Sequence, residues 1–236
     1  MTNITDRRVA IVTGVSRGVG LGIARHLSQS NFLVVGISRS TPPNDLDAVH
    51  IYADLTDSDS IVSAFDEIKK QYGRVDVLVN NAAVLDSQYL MIMSTKSIES
   101  MICTNLTGAV IAAREAMKIM RKNKYGRIIN ISSMATVLKP KGDSVYAATK
   151  SAVEMFSSIT AKEVFTMGIT SNVLSISAYD TEMFRSLNYE RVQKIIDGLP
   201  VPGLVGINDV TNILDYLISS AGDSITGQVI RLGGIS

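Results

Sequence analysis

Short runs rich in valine and isoleucine recur along the chain, separated by longer segments whose apolar residues return at every third or fourth position. The runs are Val9 to Val12, Phe32 to Ile37, His50 to Tyr52, Val75 to Val79, Arg127 to Ile131, Ile169 to Leu174 and Gln228 to Leu232, which predicts seven strands. The amphipathic segments, predicted helices, are Gly18 to Ser28, Ser58 to Tyr72, Thr95 to Lys122, Val145 to Thr166 and Asn208 to Ser219. Thr56-Asp57-Ser58 and Asn208-Asp209 carry helix-start chemistry, and Gly73 and Gly168 mark helix ends. Continuously apolar strands alternating with helices predict an α/β fold, a doubly wound parallel sheet covered on both faces. No Pro- or Ser-rich linker divides the chain, so residues 1–236 are expected to form a single domain. The least regular stretch is 177–206, with Pro200 and Pro202 between Gly198 and Gly203. Ligands of open α/β sheets bind beyond the carboxyl ends of the strands, so this stretch is expected to be a substrate lid.

Composition narrows the function. Of 236 residues, 46% are hydrophobic, enough for a sizeable core and far from the disordered range. Lys and Arg total 23 against 22 Asp and Glu, with no long run of either sign. Neither a nucleic-acid surface nor a polybasic membrane anchor is expected, which leaves a small-molecule partner. One cysteine, Cys103, and two histidines, His26 and His50, predict neither a disulfide framework nor a metal site. With no signal-peptide pattern and no apolar run near the roughly 18–20 residues of a membrane helix, a cytoplasmic protein is expected.

The first predicted strand runs into Thr13-Gly14-Val15-Ser16-Arg17-Gly18-Val19-Gly20 and then directly into a helix. Glycines there permit a tight turn and close backbone approach, and the helix start offers unpaired N–H groups to a pyrophosphate. After the second strand, Ser38-Arg39-Ser40 stands where an acidic residue would take the ribose hydroxyls of NAD. Arg17 and Arg39, with Ser38, suit a ribose 2′-phosphate, which favours NADP(H); as solvated surface charges they would need no ligand. Asp54-Leu55 is placed to meet an adenine amino group, unless Asp54 only caps the next turn. Asn80-Asn81-Ala82-Ala83, with its small residues, suits backbone passing beside a cofactor or simply a turn. Ser132-Ser133 follows the fifth strand, and Tyr146 and Lys150 share one helical face at i and i+4. A tyrosine hydroxyl near an ammonium could give or take a proton while Ser133 holds a carbonyl or alcohol oxygen.

Together, in this order, these segments resemble the short-chain dehydrogenase/reductase family, and within it most nearly the 3-oxoacyl-[acyl-carrier-protein] reductases. The resemblance implies a seven-stranded Rossmann-type sheet, a nicotinamide cofactor and a tetrad at Asn105, Ser133, Tyr146 and Lys150. Ser133 would polarise the substrate oxygen, Tyr146 act as acid/base, Lys150 bind the nicotinamide ribose and lower the tyrosine pKa, and Asn105 support a water. It further implies cofactor contacts from Gly14, Ser16, Arg17, Gly18, Val19, Gly20, Ser38, Arg39, Asp54, Leu55, Asn81, Ala82, Tyr146, Lys150 and Thr181, and assembly into a homodimer or homotetramer. Two departures stand out. Ile176-Ser177 replaces the family's Pro-Gly, and Met167 replaces a basic residue expected near the mouth of the site, although Lys124 keeps a charge at another such position. The expected activity is NADPH-dependent reduction of a ketone to a secondary alcohol, with a 3-oxoacyl thioester as first substrate. A small ketone, sugar or secondary-metabolite intermediate is the alternative, and a non-catalytic dinucleotide-binding sensor a third. Met183, Phe184, Leu187 and Tyr189 are the apolar candidates for shaping the pocket.

Overall fold

The computed structural model describes residues 7–179, 190, 193, 196–201 and 203–234. Strands β1 (Arg8–Thr13), β2 (Phe32–Ser38), β3 (Val49–Tyr52), β4 (Val77–Asn80), β5 (Gly126–Ser133), β6 (Ile169–Ile176) and β7 (Val229–Arg231) form one sheet in the order β3-β2-β1-β4-β5-β6-β7. All of its pairings are parallel. Strand order reverses between β1 and β4, which opens a crevice beyond their carboxyl ends. The α/β expectation thus holds, and each predicted strand is found within about three residues. β5 runs on to Ser133 because Ser132 and Ser133 continue the ladder with Ser175 and Ile176.

Side chains alternate across the sheet, so each strand feeds two cores. From β1, Val9 and Ile11 join Ile61, Phe65 and Ile68 of α2 (Ser58–Tyr72) and Ala112, Ala116 and Met120 of α4 (Ala109–Asn123). Ala10 and Val12 face the other way, against Ile23 and Leu27 of α1 (Gly18–Gln29) and Val210, Leu214 and Leu217 of α7 (Ile207–Ile218). α3 (Thr95–Ile102), the short α5 (Ala135–Leu138) and α6 (Ser144–Val164) complete the helices used below.

Helix ends follow their local chemistry. Asp57 caps α2 by accepting from the N–H groups of Asp59 and Ser60, and Gly73 closes it in the left-handed conformation. The Asp57→Ala variant is expected to lose about 1 kcal/mol of stability, measurable as a shift in the urea midpoint at unchanged slope. At α7 the cap is Gly206, and Asp209 reaches back to accept from its N–H at 2.8 Å. The long helix predicted over Thr95 to Lys122 is divided: residues Cys103–Gly108 form a π-helical turn between α3 and α4. Gly108 lies there because a Cβ would stand 2.6 Å from the Leu55 carbonyl oxygen.

Candidate active site

The crevice begins at the glycine loop. Val15, fully buried, sits over Gly36 of β2, where a Cβ would lie 2.5 Å from its Cγ2. The loop then turns through Gly14 (φ 75°) and Gly18 (φ 60°) into α1. α1 has no side-chain cap and no acidic residue in its first turn, which leaves its N-terminal N–H groups and positive dipole end for an anion. A Cβ on Gly20 would stand 2.3 Å from both Asn81 Nδ2 and the Gly14 carbonyl oxygen. The loop is thus braced from β4. Asn81 Nδ2 donates to the Thr13 and Gly14 carbonyls at 3.0 and 3.2 Å, and Thr13 Oγ1 accepts from the N–H groups of Asn81 and Ala82 at 3.0 and 3.1 Å. Ser16 and Arg17 lie on this turn, with Arg17 at the N-cap of α1, and Val19 stands in the first turn of that helix.

At the adenosine end, Arg39 follows β2 with its side chain half exposed, 3.8 Å from Asp54. Ser38 Oγ donates to the Ser40 carbonyl at 2.7 Å. Asp54 Oδ1 accepts from both the N–H and the hydroxyl of Thr56, and the first of these bonds holds the carboxyl below its ordinary pKa. Asp54 therefore does cap the turn, and its other oxygen faces Arg39. Leu55 is buried under the π-turn. Uncapped α1 and an arginine-serine strand end, with no acidic residue in it, together fit a phosphorylated dinucleotide.

Ser133 ends β5, and Tyr146 and Lys150 project from α6, both buried. Burial pushes the Tyr146 phenol up to about 12; a hydrogen bond with Ser133 opposes this and the Asp143 carboxylate adds to it. Burial pushes the Lys150 ammonium down to about 8, opposed by Glu154. Lys150 Nζ donates to the Ile131 carbonyl at 2.8 Å and lies 5.9 Å from the centre of the Tyr146 ring. Desolvation of the phenolate is the dominant influence on Tyr146. A phenol that stays protonated at neutral pH is a proton donor in waiting. Asn105 lies in the π-turn, where its Oδ1 accepts from Val84 N–H at 2.8 Å and its Nδ2 donates to the Val84 carbonyl at 2.9 Å and to Thr149 Oγ1 at 3.3 Å. It links the loop after β4 to α6. Thr181, Met183, Phe184, Leu187 and Tyr189 lie outside the described residues, as does much of the stretch expected to form a lid.

Two loops that border the site are stapled together. Ser87 Oγ donates to Asp143 Oδ1 at 2.5 Å, and Gln88 N–H donates to the Gly142 carbonyl at 3.0 Å. The sequence placed Thr13 in the glycine motif without giving it a role, and passed over Ser87, Asp143 and Glu154. Glu154 had a signal in its position eight residues after Tyr146 on the same helix, whereas Ser87 and Asp143 gain meaning only from contact. Of the departures, Ile176 closes β6, its carbonyl accepting from Met134 N–H at 3.0 Å; Ser177 packs where a Cβ on Gly233 would come within 2.5 Å. Lys124 and Met167 require a correction. They precede β5 and β6, and in a parallel sheet that is the end opposite Ser133, about 23 Å away along an eight-residue strand. Neither borders the site of its own chain.

Known proteins resemble this chain in sequence and fold. The family model for short chain dehydrogenase matches residues 8–192. The chain is 33% identical to the 3-oxoacyl-[acyl-carrier-protein] reductase FabG of Escherichia coli (strain K12), covering 97% of each. It is also 33% identical to the reductase MabA of Mycobacterium bovis, covering 96% of this chain and 92% of that one. Among solved structures, an actinorhodin polyketide ketoreductase variant with NADPH superposes with a TM-score of 0.89 at 25% identity, covering 99% of this chain and 98% of that one. With the family model covering residues 8–192 and relatives 33% identical over nearly the whole chain, the chain belongs to the short-chain dehydrogenases.

Proposed function

We propose that the protein is an NADPH-dependent ketoreductase acting on 3-oxoacyl thioesters. The observation that carries this reading is the convergence of Ser133, Tyr146 and Lys150 at the carboxyl end of β5, beside the braced glycine loop. FabG and MabA, named as 3-oxoacyl reductases, and the NADPH-bound ketoreductase support the substrate class and the cofactor. Gly14, Gly18 and Gly20 with the start of α1 would hold the pyrophosphate, and Arg39 with Arg17 the 2′-phosphate. When bound, the dinucleotide would supply a hydride for the ketone carbon. The Ser133 hydroxyl donates to the ketone oxygen and fixes its position. Tyr146 gives its proton to that oxygen as negative charge grows on it, so the charge is neutralised within a buried site. Lys150, anchored to Ile131, places a positive charge beneath the tyrosine and stabilises the phenolate that the proton leaves behind.

The test is oxidation of NADPH, followed at the nicotinamide absorbance, with acetoacetyl thioester presented free and on acyl carrier protein. Turnover of either form is the expected result, and silence with both, despite NADPH binding, removes the thioester assignment. In the same assay, Arg39→Ala is expected to reduce the preference of kcat/KM for NADPH over NADH by about tenfold, the loss of one charge-assisted phosphate contact. An unchanged ratio would take Arg39 out of phosphate recognition.

A further inference from the structure

The side of α6 that carries Tyr146 and Lys150 does not end with them. One turn beyond Lys150 stands Glu154, whose side chain is only 14% exposed. Its Oε1 accepts from Ser132 Oγ at 2.5 Å and from Thr136 Oγ1 at 3.0 Å, and its Oε2 lies 3.6 Å from Arg231 of β7. Thr136 Oγ1 is also 3.1 Å from the Ser133 carbonyl oxygen. Lys150 and Glu154 thereby grip consecutive residues of β5, Ile131 and Ser132, immediately before Ser133. A carboxylate this enclosed costs free energy to desolvate unless hydroxyls and a cation compensate it, and both are supplied here.

We propose that Glu154 is a positioning residue for the reaction: its carboxylate fastens the Ser133 end of β5 to the helix that carries the acid/base pair and sets the charge that Lys150 works beside. The inference rests on the Ser133, Tyr146 and Lys150 reading above and adds a fourth side chain to it, one that touches neither substrate nor cofactor in that scheme. The titratable groups acting on the pair are Glu154 along α6, Asp143 ahead of it and, through Glu154, Arg231 from β7. β5 and α5 present carbonyls and hydroxyls, from Ile131, Ser132, Ser133 and Thr136, and α3 packs against Tyr146 with apolar Ile98 and Met101. Glu154 is the group that opposes the effect of burial on Lys150. Its removal lowers the proton affinity of Lys150, so the lysine loses its charge at lower pH; removal of Arg231 acts in the opposite sense.

The experiment follows Lys150 directly. In protein labelled with [13C]lysine, the Lys150 Cε resonance, assigned by its absence from Lys150→Met, is titrated in the wild type, Glu154→Gln and Arg231→Met without added dinucleotide. Glutamine keeps an oxygen for the Ser132 hydroxyl and removes only the charge, and thermal melts establish that each variant is folded. The expected midpoint falls by about one pH unit in Glu154→Gln, the size of effect for a neighbouring charge, and rises in Arg231→Met. The alkaline limb of kcat with NADPH and acetoacetyl thioester moves with the midpoint. Coincident midpoints in all three proteins, or a loss of kcat in Glu154→Gln that is the same at every pH, would overturn the inference. Wild-type turnover by Lys150→Met, which the midpoints alone do not report, would overturn the acid/base reading and the inference with it.

Discussion

Tyr146→Phe is expected to lower kcat by about 10²–10⁴-fold, the usual worth of a positioned proton donor, while NADPH affinity measured by nicotinamide fluorescence changes by less than about threefold. The ring is buried among Met93, Met101 and Ala135, so phenylalanine occupies the same volume and keeps the same packing. Only the hydroxyl is lost, and with it the hydrogen bond to Ser133. Ser133 keeps another partner, because its Oγ accepts from Ala135 N–H at 3.2 Å. The serine therefore stays in place and can still bind the substrate oxygen without a proton to follow. Retention of the wild-type rate would remove Tyr146 from the mechanism, and loss of NADPH binding would make it a cofactor-holding residue instead.

Gly20→Ala is expected to act on stability and affinity together. Its Cβ would come within 2.3 Å of a backbone oxygen, which cannot swing aside, and of the Asn81 amide that ties β4 to the loop. The clash and the displaced hydrogen bonds cost about 2–4 kcal/mol, read as a lower urea midpoint, and NADPH affinity falls by more than about tenfold. Gly168→Ala provides the contrast. At φ 76° its Cβ would meet the Lys124 carbonyl oxygen at 2.1 Å, so it too is destabilising, but at the opposite, amino-terminal end of the strands. Its folded fraction should bind NADPH with wild-type affinity. Equal affinities for the Gly20 variant and the wild type would show that the loop is not the dinucleotide site.

How much of this was readable beforehand depends on the range of the interaction. α2 was predicted as Ser58 to Tyr72 and is found there, since its cap, apolar stripe and terminal glycine are all local. The π-turn at Cys103–Gly108 was not, because it answers to distant partners: Asn105 must reach Val84, and Gly108 must clear Leu55. The residues proposed for chemistry were legible from motif order and spacing, and the structure gathers Ser133, Tyr146 and Lys150 at one strand end. Their electrostatics were not. An i, i+4 spacing suggests that an ammonium lowers the Tyr146 pKa, but it carries no information about the burial that raises it. Lys124 and Met167 show the same limit, as their distance from the site follows from the direction of β5 and β6 rather than from their identity.

The Thr13 hydroxyl, accepting from two successive N–H groups at the end of β4, has a thermodynamic consequence. The glycine loop is held in its turned shape by bonds internal to the protein, so a ligand arriving there meets a surface already ordered. Little conformational entropy is left to be lost on binding, and contact energy that a floppy loop would consume in ordering itself goes into affinity. Rigidity at this end of the crevice leaves any adjustment to the shape of a substrate to the other walls of the site.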